Sequence, residues 1–409
     1  MILHICSWKK IVIFNSLLSL IIIFSFGILG GIIFNKIRLP KLVWYIILGI
    51  LIGPSVLNII DNTLIKCSST LRQIALVIIL TRSGLSLDIN NLKKIGRSAV
   101  LMCFIPATFE IIGVVILGPL LLNISFTESL LLGSVLAAVS PAIVVPRMIK
   151  LINKKYGEEN HVPELVLAGA SCDDIYVIIL FYSFKSLVST SAFNGWNLLQ
   201  IPLSIISGVL LGIIVGIIVK KIIKHIKLNK LFIVLIMLLL SFGMLLLESY
   251  LKPYFSISSL LSIIIMALII SINKTNQVKE IQKTYNNLWK IFEILLFVLV
   301  GVATNIDYAF SQNGLIILGI IIIALVFRSI GVIVCLIATS YSKKEKLFIV
   351  FSYLPKATVQ ASIGAIALQE GLGCGNIILT AAVISILFTA PLGAILIDNL
   401  YNKLLVKTE

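Results

Sequence analysis

The feature that most constrains this chain is a series of continuous apolar runs, several of them longer than 20 residues. About 20 helical residues cross a hydrocarbon core of about 30 Å, so such runs are typical of transmembrane helices. Of the 409 residues, 59% are hydrophobic and only 12% are charged, which excludes a soluble enzyme, a disulfide scaffold and a disordered chain. A β-barrel is excluded because its strands alternate apolar and polar residues. The sequence therefore predicts an all-α polytopic membrane protein.

Thirteen apolar segments are predicted to be transmembrane spans. The third is the weakest, because it is short and carries Arg72. The first is too long for the apolar region of a cleaved signal peptide, so it is kept as a span. The predicted spans are 11–34, 42–60, 64–81, 98–122, 127–150, 163–190, 198–223, 229–250, 253–272, 286–308, 313–340, 346–370 and 375–404.

The distribution of Lys and Arg predicts how these spans are oriented. If all thirteen cross, 24 of the 33 basic residues lie on one side, 4 lie on the other and 5 lie inside spans. Cytoplasmic loops carry the excess of basic residues, so the C-terminus is predicted to be cytoplasmic and the N-terminus to lie outside. The net charge of +16 is therefore an orientation signal, and no nucleic-acid partner is predicted.

Two adjacent carboxylates, Asp173 and Asp174, lie about ten residues into the sixth span. At 1.5 Å per residue this is near the bilayer centre, where ionisable side chains are costly and mark a functional site by default. Burial and a neighbouring like charge each disfavour the ionised form of a carboxyl group, so the pair can exchange protons for a metal cation. The alternative is two structural carboxylates, salt-bridged within a packed bundle.

Prolines predict that two spans are broken at a similar depth. Proline removes a backbone donor and clashes with the preceding turn of a helix, so the helix kinks or breaks there. The fifth and twelfth spans run in opposite directions, as an inverted-topology repeat with its site at the repeat interface requires. The residues at the two predicted breaks are Ser140, Pro141 and Pro146 in the fifth span and Pro355, Lys356, Thr358 and Gln360 in the twelfth.

Two further ionisable residues, Glu110 and Arg328, are predicted at the same depth. A guanidinium group stays protonated, so Arg328 needs an acidic or carbonyl partner. For each residue, a structural ion pair and a role in transport are equally open. If Arg328 pairs with Asp173, then Asp174 alone is left to exchange a proton, which favours electroneutral exchange of one proton for one monovalent cation. If both aspartates are protonated in the other half of the cycle, two protons move per cation and exchange is electrogenic.

Five segments stand out as motifs: 48–55 (LGILIGPS), 80–88 (LTRSGLSLD), 139–146 (VSPAIVVP), 170–175 (ASCDDI) and 354–361 (LPKATVQA). At these residues the chain resembles the monovalent cation:proton antiporters of the sodium/hydrogen exchanger superfamily. It resembles in particular the branch with paired aspartates, which includes the mitochondrial and plasma-membrane sodium/hydrogen antiporters of animals and their bacterial relatives. The similarity extends in order from about residue 11 to residue 400.

The resemblance implies a role for individual residues. Asp174 is implied to be the direct ligand of the cation. The implied cation and proton site consists of Asp173, Asp174 and Ser140, with Arg328 and Lys356 as charge partners. A structural ion-pair cluster is implied for Arg82, Glu110 and Lys290.

The resemblance also implies an architecture. A core domain that carries two crossing broken helices moves against a dimerisation domain, in an elevator-type alternating-access mechanism. The core is predicted at about 64–190 and 286–370. The dimerisation scaffold is predicted at about 11–60 and 198–272, with 375–404 as a further candidate part of it. The protein is expected to be a homodimer.

The predicted function is secondary active transport, the exchange of Na⁺ or Li⁺ for H⁺ across a bacterial plasma membrane. Its partners are monovalent cations, protons and membrane lipid. No enzymatic activity and no cofactor are predicted, because the ions are the transported substrates. A K⁺/H⁺ antiporter or a cation channel of the same architecture are the alternatives. An intramembrane aspartyl protease is disfavoured because it needs its two aspartates on different helices.

Overall fold

The computed structural model of the protein describes residues 2–86, 96–189, 195–225, 229–251, 257–272 and 275–408. The regular secondary structure within these residues is helical, apart from one isolated antiparallel bridge between Tyr156 and Lys407. The first helices are α1 (Ile2–Lys36), α2 (Lys41–Ile52), α3 (Asn62–Ser86), α4 (Arg97–Met102), α5 (Ile105–Leu122), α6 (Phe126–Leu136), α7 (Pro141–Asn153), α8 (Val162–Ser189) and α9 (Gly195–His225). The others are α10 (Lys230–Leu251), α11 (Ser259–Ser271), α12 (Asn276–Ala303), α13 (Ile306–Ala309), α14 (Gln312–Cys335), α15 (Lys343–Ser352), α16 (Thr358–Ile363), α17 (Ile366–Gln369) and α18 (Gly375–Leu404).

The prediction of an all-α membrane protein is confirmed. Ten helical stretches in the described part of the chain are long and apolar enough to cross a membrane. One of them is the third predicted span, because α3 has 25 residues despite carrying Arg72. The apolar helices α2 and α11 are shorter, with 12 and 13 residues, and the twelfth predicted span is divided among α15, α16 and α17. The count of thirteen therefore stays a prediction.

Two interruptions of the helical backbone lie where the proline motifs fall. The first, residues 137–140, separates α6 from α7, and the second, residues 353–357, separates α15 from α16. Pro141 is the first residue of α7, a position where the missing N–H of proline has no helical acceptor to lose. The two interruptions contact each other, because the Ser140 N–H donates to the Pro355 carbonyl at 2.8 Å.

Pro146, predicted as part of the first break, lies within α7 and does not end it. Its missing N–H would have paired with the carbonyl of Ala142, near the amino-terminal end of the helix. Only one hydrogen bond of the first turns is therefore lost. The break lies instead on the amino-terminal side of Pro141, where the backbone of Ser140 is extended (φ −90°, ψ 108°).

The half-helices α6 and α15, which lead into the two interruptions, begin with the same capping motif. The Ser125 side chain accepts the N–H of Glu128 at the start of α6, and the Glu128 side chain accepts the N–H of Ser125 in return. Ser342 and Glu345 form the same capping box at the start of α15. Such boxes satisfy two otherwise unpaired backbone donors at a helix start. Each box fixes where its half-helix begins and therefore how far it reaches toward the break.

The helices pack in two groups. In the first group α2 packs on α1 and α12, α3 on α11 and α12, and α9 on α11. In the second group α5 packs on α6 and α14, α8 on α4, α6 and α7, and α18 on α14, α15 and α17. Both interruptions lie in the second group. Helix α3 faces them from the first group, since it contacts α16.

Two glycines hold part of the first group together. A Cβ on Gly49 of α2 would overlap the carbonyl of Val298, and a Cβ on Gly301 of α12 would overlap the carbonyl of Ile46. The absence of side chains at both positions lets α2 and α12 pack backbone against backbone. Small residues serve this purpose in membrane helices because van der Waals contact drives much of their association.

Candidate ion-binding site

Helix α8 carries both predicted aspartates against the first interruption. Asp173 is fully buried, and its Oδ2 accepts the N–H of Val139 at 2.8 Å and Nη2 of Arg328 at 2.8 Å. Val139 can donate because the interruption frees its backbone N–H from the helical pattern. Asp173 is thus tied to the broken helix through backbone and to α14 through an ion pair.

Arg328 is the fully buried side chain that connects the elements of the site. Its Nη1 donates to Glu110 Oε2 at 2.9 Å and also to the carbonyl of Ala137, and its Nε donates to the carbonyl of Tyr353 at 2.7 Å. Ala137 and Tyr353 belong to the two interruptions. The planar guanidinium has five donors in a fixed fork, which suits a position between two carboxylates and two freed carbonyls.

Lys356 lies in the second interruption and pairs with the same glutamate. Its Nζ is 2.5 Å from Glu110 Oε2, and both side chains are buried. Its backbone N–H donates to Thr389 Oγ1 on α18 at 2.8 Å. Glu110 therefore lies between Lys356 and Arg328. With Asp173 included, two acidic side chains face two basic side chains, so the formal charges of the four sum to zero.

Gln360 joins the two interruptions from the start of α16. Its Oε1 accepts the N–H of Ala357 at 2.9 Å, and its Nε2 donates to the carbonyl of Ala138 at 2.8 Å. One side chain therefore satisfies a donor freed by the second interruption and an acceptor freed by the first. Thr358 is the first residue of α16, two residues before Gln360, and is almost completely buried.

Asp174 differs from its neighbour because it has no ion-pair partner among the described residues. Its side chain is 6% exposed, and its Oδ1 accepts no hydrogen bond from any of them. The same is true of Asp173 Oδ1 and of Ser140 Oγ. Buried oxygen atoms without donors are uncommon and call for an explanation. Carboxylate and hydroxyl oxygens are the ligands that hard cations prefer.

A cavity lies near Asp174 but is not lined by it. It has a volume of about 290 Å³ and is lined by residues of both helix groups, among them Arg72, Glu248 and Glu370. Beside it lies a much smaller space of about 10 Å³, lined among others by Asp174, Ser83 and Thr358. Both spaces are lined by Leu76 and Ser362. Of the two aspartates, Asp174 lines the smaller space and Asp173 does not.

The predicted cluster of Arg82, Glu110 and Lys290 is not brought together, and this expectation is wrong. Glu110 lies on α5, which packs against α14, and its partners are Arg328 and Lys356. Arg82 lies on α3 in the other helix group, where its Nε donates to Asn286 Oδ1 at 2.8 Å. Lys290 is exposed, and its Nζ donates to Asn287 Oδ1 at 3.0 Å.

Several groups that form hydrogen bonds in the site could not be predicted from the sequence. The carbonyls of Ala137, Ala138 and Tyr353 become available only because the helices are interrupted, and no side chain marks them. Thr389 lies in an apolar span, where a threonine commonly bonds its own helix. Its contact with Lys356 depends on how α18 packs.

Comparison with known proteins decides the family. A sequence profile described as "Sodium/hydrogen exchanger, transmembrane" matches residues 20–402. The chain is 34% identical to human sodium/hydrogen exchanger 9B2, over 97% of this chain and 76% of that protein. It is 32% identical to mouse sodium/hydrogen exchanger 9B1, over 97% of this chain and 72% of that protein. The chain belongs to the sodium/hydrogen exchanger family.

The fold of this exchanger has a solved counterpart. The sodium proton antiporter MjNhaP1 from Methanocaldococcus jannaschii matches with a TM-score of 0.81, over 97% of this chain and 99% of that chain. The sequence identity is 22%, so this likeness concerns the fold alone. The resemblance inferred from the five motifs is confirmed. The family is one of transporters, which supports the prediction of a membrane transporter rather than an enzyme, with the ions as transported substrates.

Of the predicted location, the membrane is supported and the type of organism is not. This exchanger has the apolar helices of a membrane protein. The named relatives are animal proteins, so a bacterial plasma membrane stays a prediction. The orientation of the two termini and the homodimer also stay predictions.

Proposed function

We propose that this exchanger moves Na⁺ or Li⁺ across the membrane in exchange for H⁺, with Asp174 as the carboxylate that binds proton and cation in turn. The observation that carries the proposal is the difference between the two aspartates. Asp173 is held by Arg328 and by a backbone N–H, whereas Asp174 has no such partner among the described residues. The names of the relatives and of the structural neighbour also support exchange of sodium for protons.

The charges around Asp174 favour a one-for-one exchange. Glu110 and Asp173 are balanced by Arg328 and Lys356, so an ionised Asp174 adds one unbalanced negative charge. An uncompensated charge in a buried site is strongly unfavourable. A bound proton or a bound monovalent cation neutralises it equally well, and binding both would leave a positive excess. Asp174 therefore alternates between the two, and one proton is exchanged per cation.

The first interruption supplies further ligands for the cation. Ser140 Oγ and Asp173 Oδ1 are buried without donors from the described residues. Broken helices in transporters commonly coordinate ions with freed backbone and side-chain oxygens. We assign Asp174, Asp173 and Ser140 to the cation site. Arg328 pairs with both neighbouring carboxylates, and Lys356 pairs with Glu110.

The two packing groups suggest which parts move against each other. We propose α4–α8 and α14–α18 as the moving core and α1–α3 and α9–α12 as the scaffold of a homodimer. This division differs from the one expected from the sequence, since 64–86 and 286–303 join the scaffold and 375–404 joins the core. It is favoured because α3 and α12 pack mainly on scaffold helices and α18 packs mainly on core helices. Movement of the core past α3 would carry Asp174 between the two sides.

A cation channel is the less favoured alternative. A channel needs a continuous pore, whereas the cavity of about 290 Å³ and the space of about 10 Å³ beside Asp174 are separate. An occluded site of this kind suits alternating access.

Purified protein in liposomes tests the function directly. Imposed gradients of Na⁺, Li⁺ and K⁺ are compared for their ability to drive proton movement, which a trapped pH-sensitive dye reports. Empty liposomes are the control. Proton movement with Na⁺ or Li⁺ supports the proposal. Movement with K⁺ alone would make the protein a K⁺/H⁺ antiporter, and cation flux without proton movement would make it a channel.

A further inference from the structure

A second cavity, of about 560 Å³, extends along α7 from Ala142 and Ile143, in its first turn, to Lys150 and Lys154, at its end. Helix α7 begins beside Ser140, at the proposed ion site, and ends at Asn153 next to this cavity. The charge count assigns this end of the bundle to the cytoplasm. This cavity is separate from the cavity of about 290 Å³ near Asp174, since the two share no lining residue.

The charged side chains around this cavity are mostly basic. Its lining contains the five basic residues Arg38, Lys41, Arg147, Lys150 and Lys154 and the two acidic residues Glu293 and Asp398. The positive-inside rule explains basic residues on this side of the membrane. It does not explain why five of them surround one cavity, where like charges repel one another.

The acidic residues leave part of this charge unbalanced. Asp398 forms an ion pair with Arg147, whose Nη2 is 3.0 Å from Asp398 Oδ2. Lys154 lies over the ring of Tyr401 at 5.6 Å from its centroid, a contact that keeps its charge. Arg38 and Lys150 are exposed to the cavity, and no described side chain forms an ion pair with either. The cavity therefore holds a net positive charge with donors that point to no protein acceptor.

The basic residues come from both packing groups. Arg38 and Lys41 belong to the connection between α1 and α2 and to the start of α2, in the proposed scaffold. Lys150 and Lys154 belong to the end of α7, in the proposed core. An anion bound between them would form ion pairs with both groups at once. Such a ligand stabilises the arrangement in which the two walls are close, because binding to one state shifts the population toward it.

We propose that this cavity is a binding site for a phosphate-bearing anion that ties the core to the scaffold and slows exchange. Arginine and lysine together suit phosphate, since the guanidinium fork matches two phosphate oxygens and the ammonium adds a point charge. The phosphate can come from an anionic lipid headgroup of the cytoplasmic leaflet, which attracts basic residues near the surface, or from a soluble phosphate. The effect on exchange rests on the proposed function and on the proposed division of the helices, whereas binding itself does not.

Thermal unfolding of the purified full-length protein in detergent tests binding and separates the two sources. One arm adds inorganic phosphate against chloride of equal ionic strength. The other adds dioctanoyl phosphatidic acid against dioctanoyl phosphatidylcholine. The cavity variant is Arg38→Gln/Lys150→Gln/Lys154→Gln. The matched control, Lys279→Gln/Lys343→Gln/Lys344→Gln, removes three exposed basic residues that do not line the cavity.

We expect phosphate, phosphatidic acid or both to raise the melting temperature of the wild-type and control proteins. The concentration for half the effect should rise at least about tenfold in the cavity variant. If the triple variant does not fold, the single variant Lys150→Gln replaces it. This variant should raise the concentration for half the effect by a smaller factor. Equal stabilisation of all three proteins, or of none, would overturn the site.

Exchange measurements test the second half of the proposal. In phosphatidylcholine liposomes, the stabilising probe should slow cation-driven proton movement by the wild-type and control proteins and leave the cavity variant unaffected. Binding without slowed exchange would overturn the tie between core and scaffold. A wild-type protein without any exchange would contradict the proposed function, while the binding experiment would still decide whether the site exists.

Discussion

Arg328 lies between Asp173 and Glu110, with Nη2 2.8 Å from Asp173 Oδ2 and Nη1 2.9 Å from Glu110 Oε2. Glu110 in turn contacts Lys356, which lies in the second interruption. The ion pairs thus join α5, α8, α14 and the segment before α16. In the proposed mechanism they keep Asp173 as a fixed charge and leave Asp174 as the group that changes its charge during transport.

Glu110→Gln should destabilise the protein more than it changes cation affinity. Removal of this carboxylate leaves Arg328 and Lys356 with one buried partner fewer, and breaking a buried ion pair costs on the order of 3–5 kcal/mol. The melting temperature in detergent and the apparent cation affinity in liposomes are the two measurements. Glu159→Gln, at an exposed position, is the control. An unchanged melting temperature with a large loss of affinity would place Glu110 in the cation site.

Gln360→Leu tests the link between the two interruptions. The substitution removes the acceptor of the Ala357 N–H and the donor to the Ala138 carbonyl, and each buried group left unpaired costs about 1–3 kcal/mol. We expect a lower melting temperature and slow exchange, whereas the exposed Gln312→Leu should leave both unchanged. A Gln360→Leu protein that unfolds and transports like the wild type would show that the link is dispensable.

Much of this architecture could be predicted from the sequence. Long apolar runs determine a helical membrane protein, and Pro141 and Pro355 mark the interruptions because proline cannot continue the hydrogen-bond pattern. The pairing of Arg328 with a carboxylate was also expected, since a buried guanidinium needs a partner. Which of the three deep acids it meets was left open, because that choice depends on how α5, α8 and α14 pack.

The errors have a similar origin. Arg82 and Glu110 were assigned to one cluster on the basis of a resemblance, and their helices pack in different groups. Pro146 was included in the first break because proline is a strong breaker. A proline near the start of a helix removes only one hydrogen bond, so α7 continues through it. The sequence shows which residues are costly to bury, and the packing of the helices determines which partners stabilise them.

The orientation of the spans can be tested with single cysteines. The charge count places Gln312 outside and Asn153 in the cytoplasm. In a background without the six native cysteines, an impermeant thiol reagent applied from outside should label Gln312→Cys and spare Asn153→Cys. Both positions are exposed, so access to the reagent does not limit the labelling. The opposite pattern would mean that the number of spans is wrong. Asn194 would serve the same purpose on the outer side, but it lies outside the described residues.

Exchange should be electroneutral. Arg328 keeps its charge throughout the cycle, because a guanidinium group is not deprotonated at physiological pH, and the proposed cycle keeps its ion pair with Asp173. The rate of exchange in liposomes should therefore not change when valinomycin and K⁺ impose a membrane potential, provided that K⁺ is not itself transported. A steep dependence on the potential would contradict this account. In that case Arg328→Lys should be examined, since a buried lysine can release its proton.

The assignment of Asp174 as the exchanging carboxylate is tested most directly by Na⁺- or Li⁺-driven proton movement in liposomes that contain Asp174→Asn. The amide keeps the size of the side chain but cannot alternate between a proton and a cation. We expect no exchange by this variant and normal exchange by Asp307→Asn, which removes an exposed carboxylate at the start of α13. Exchange near the wild-type rate by Asp174→Asn, with both proteins folded, would contradict the account.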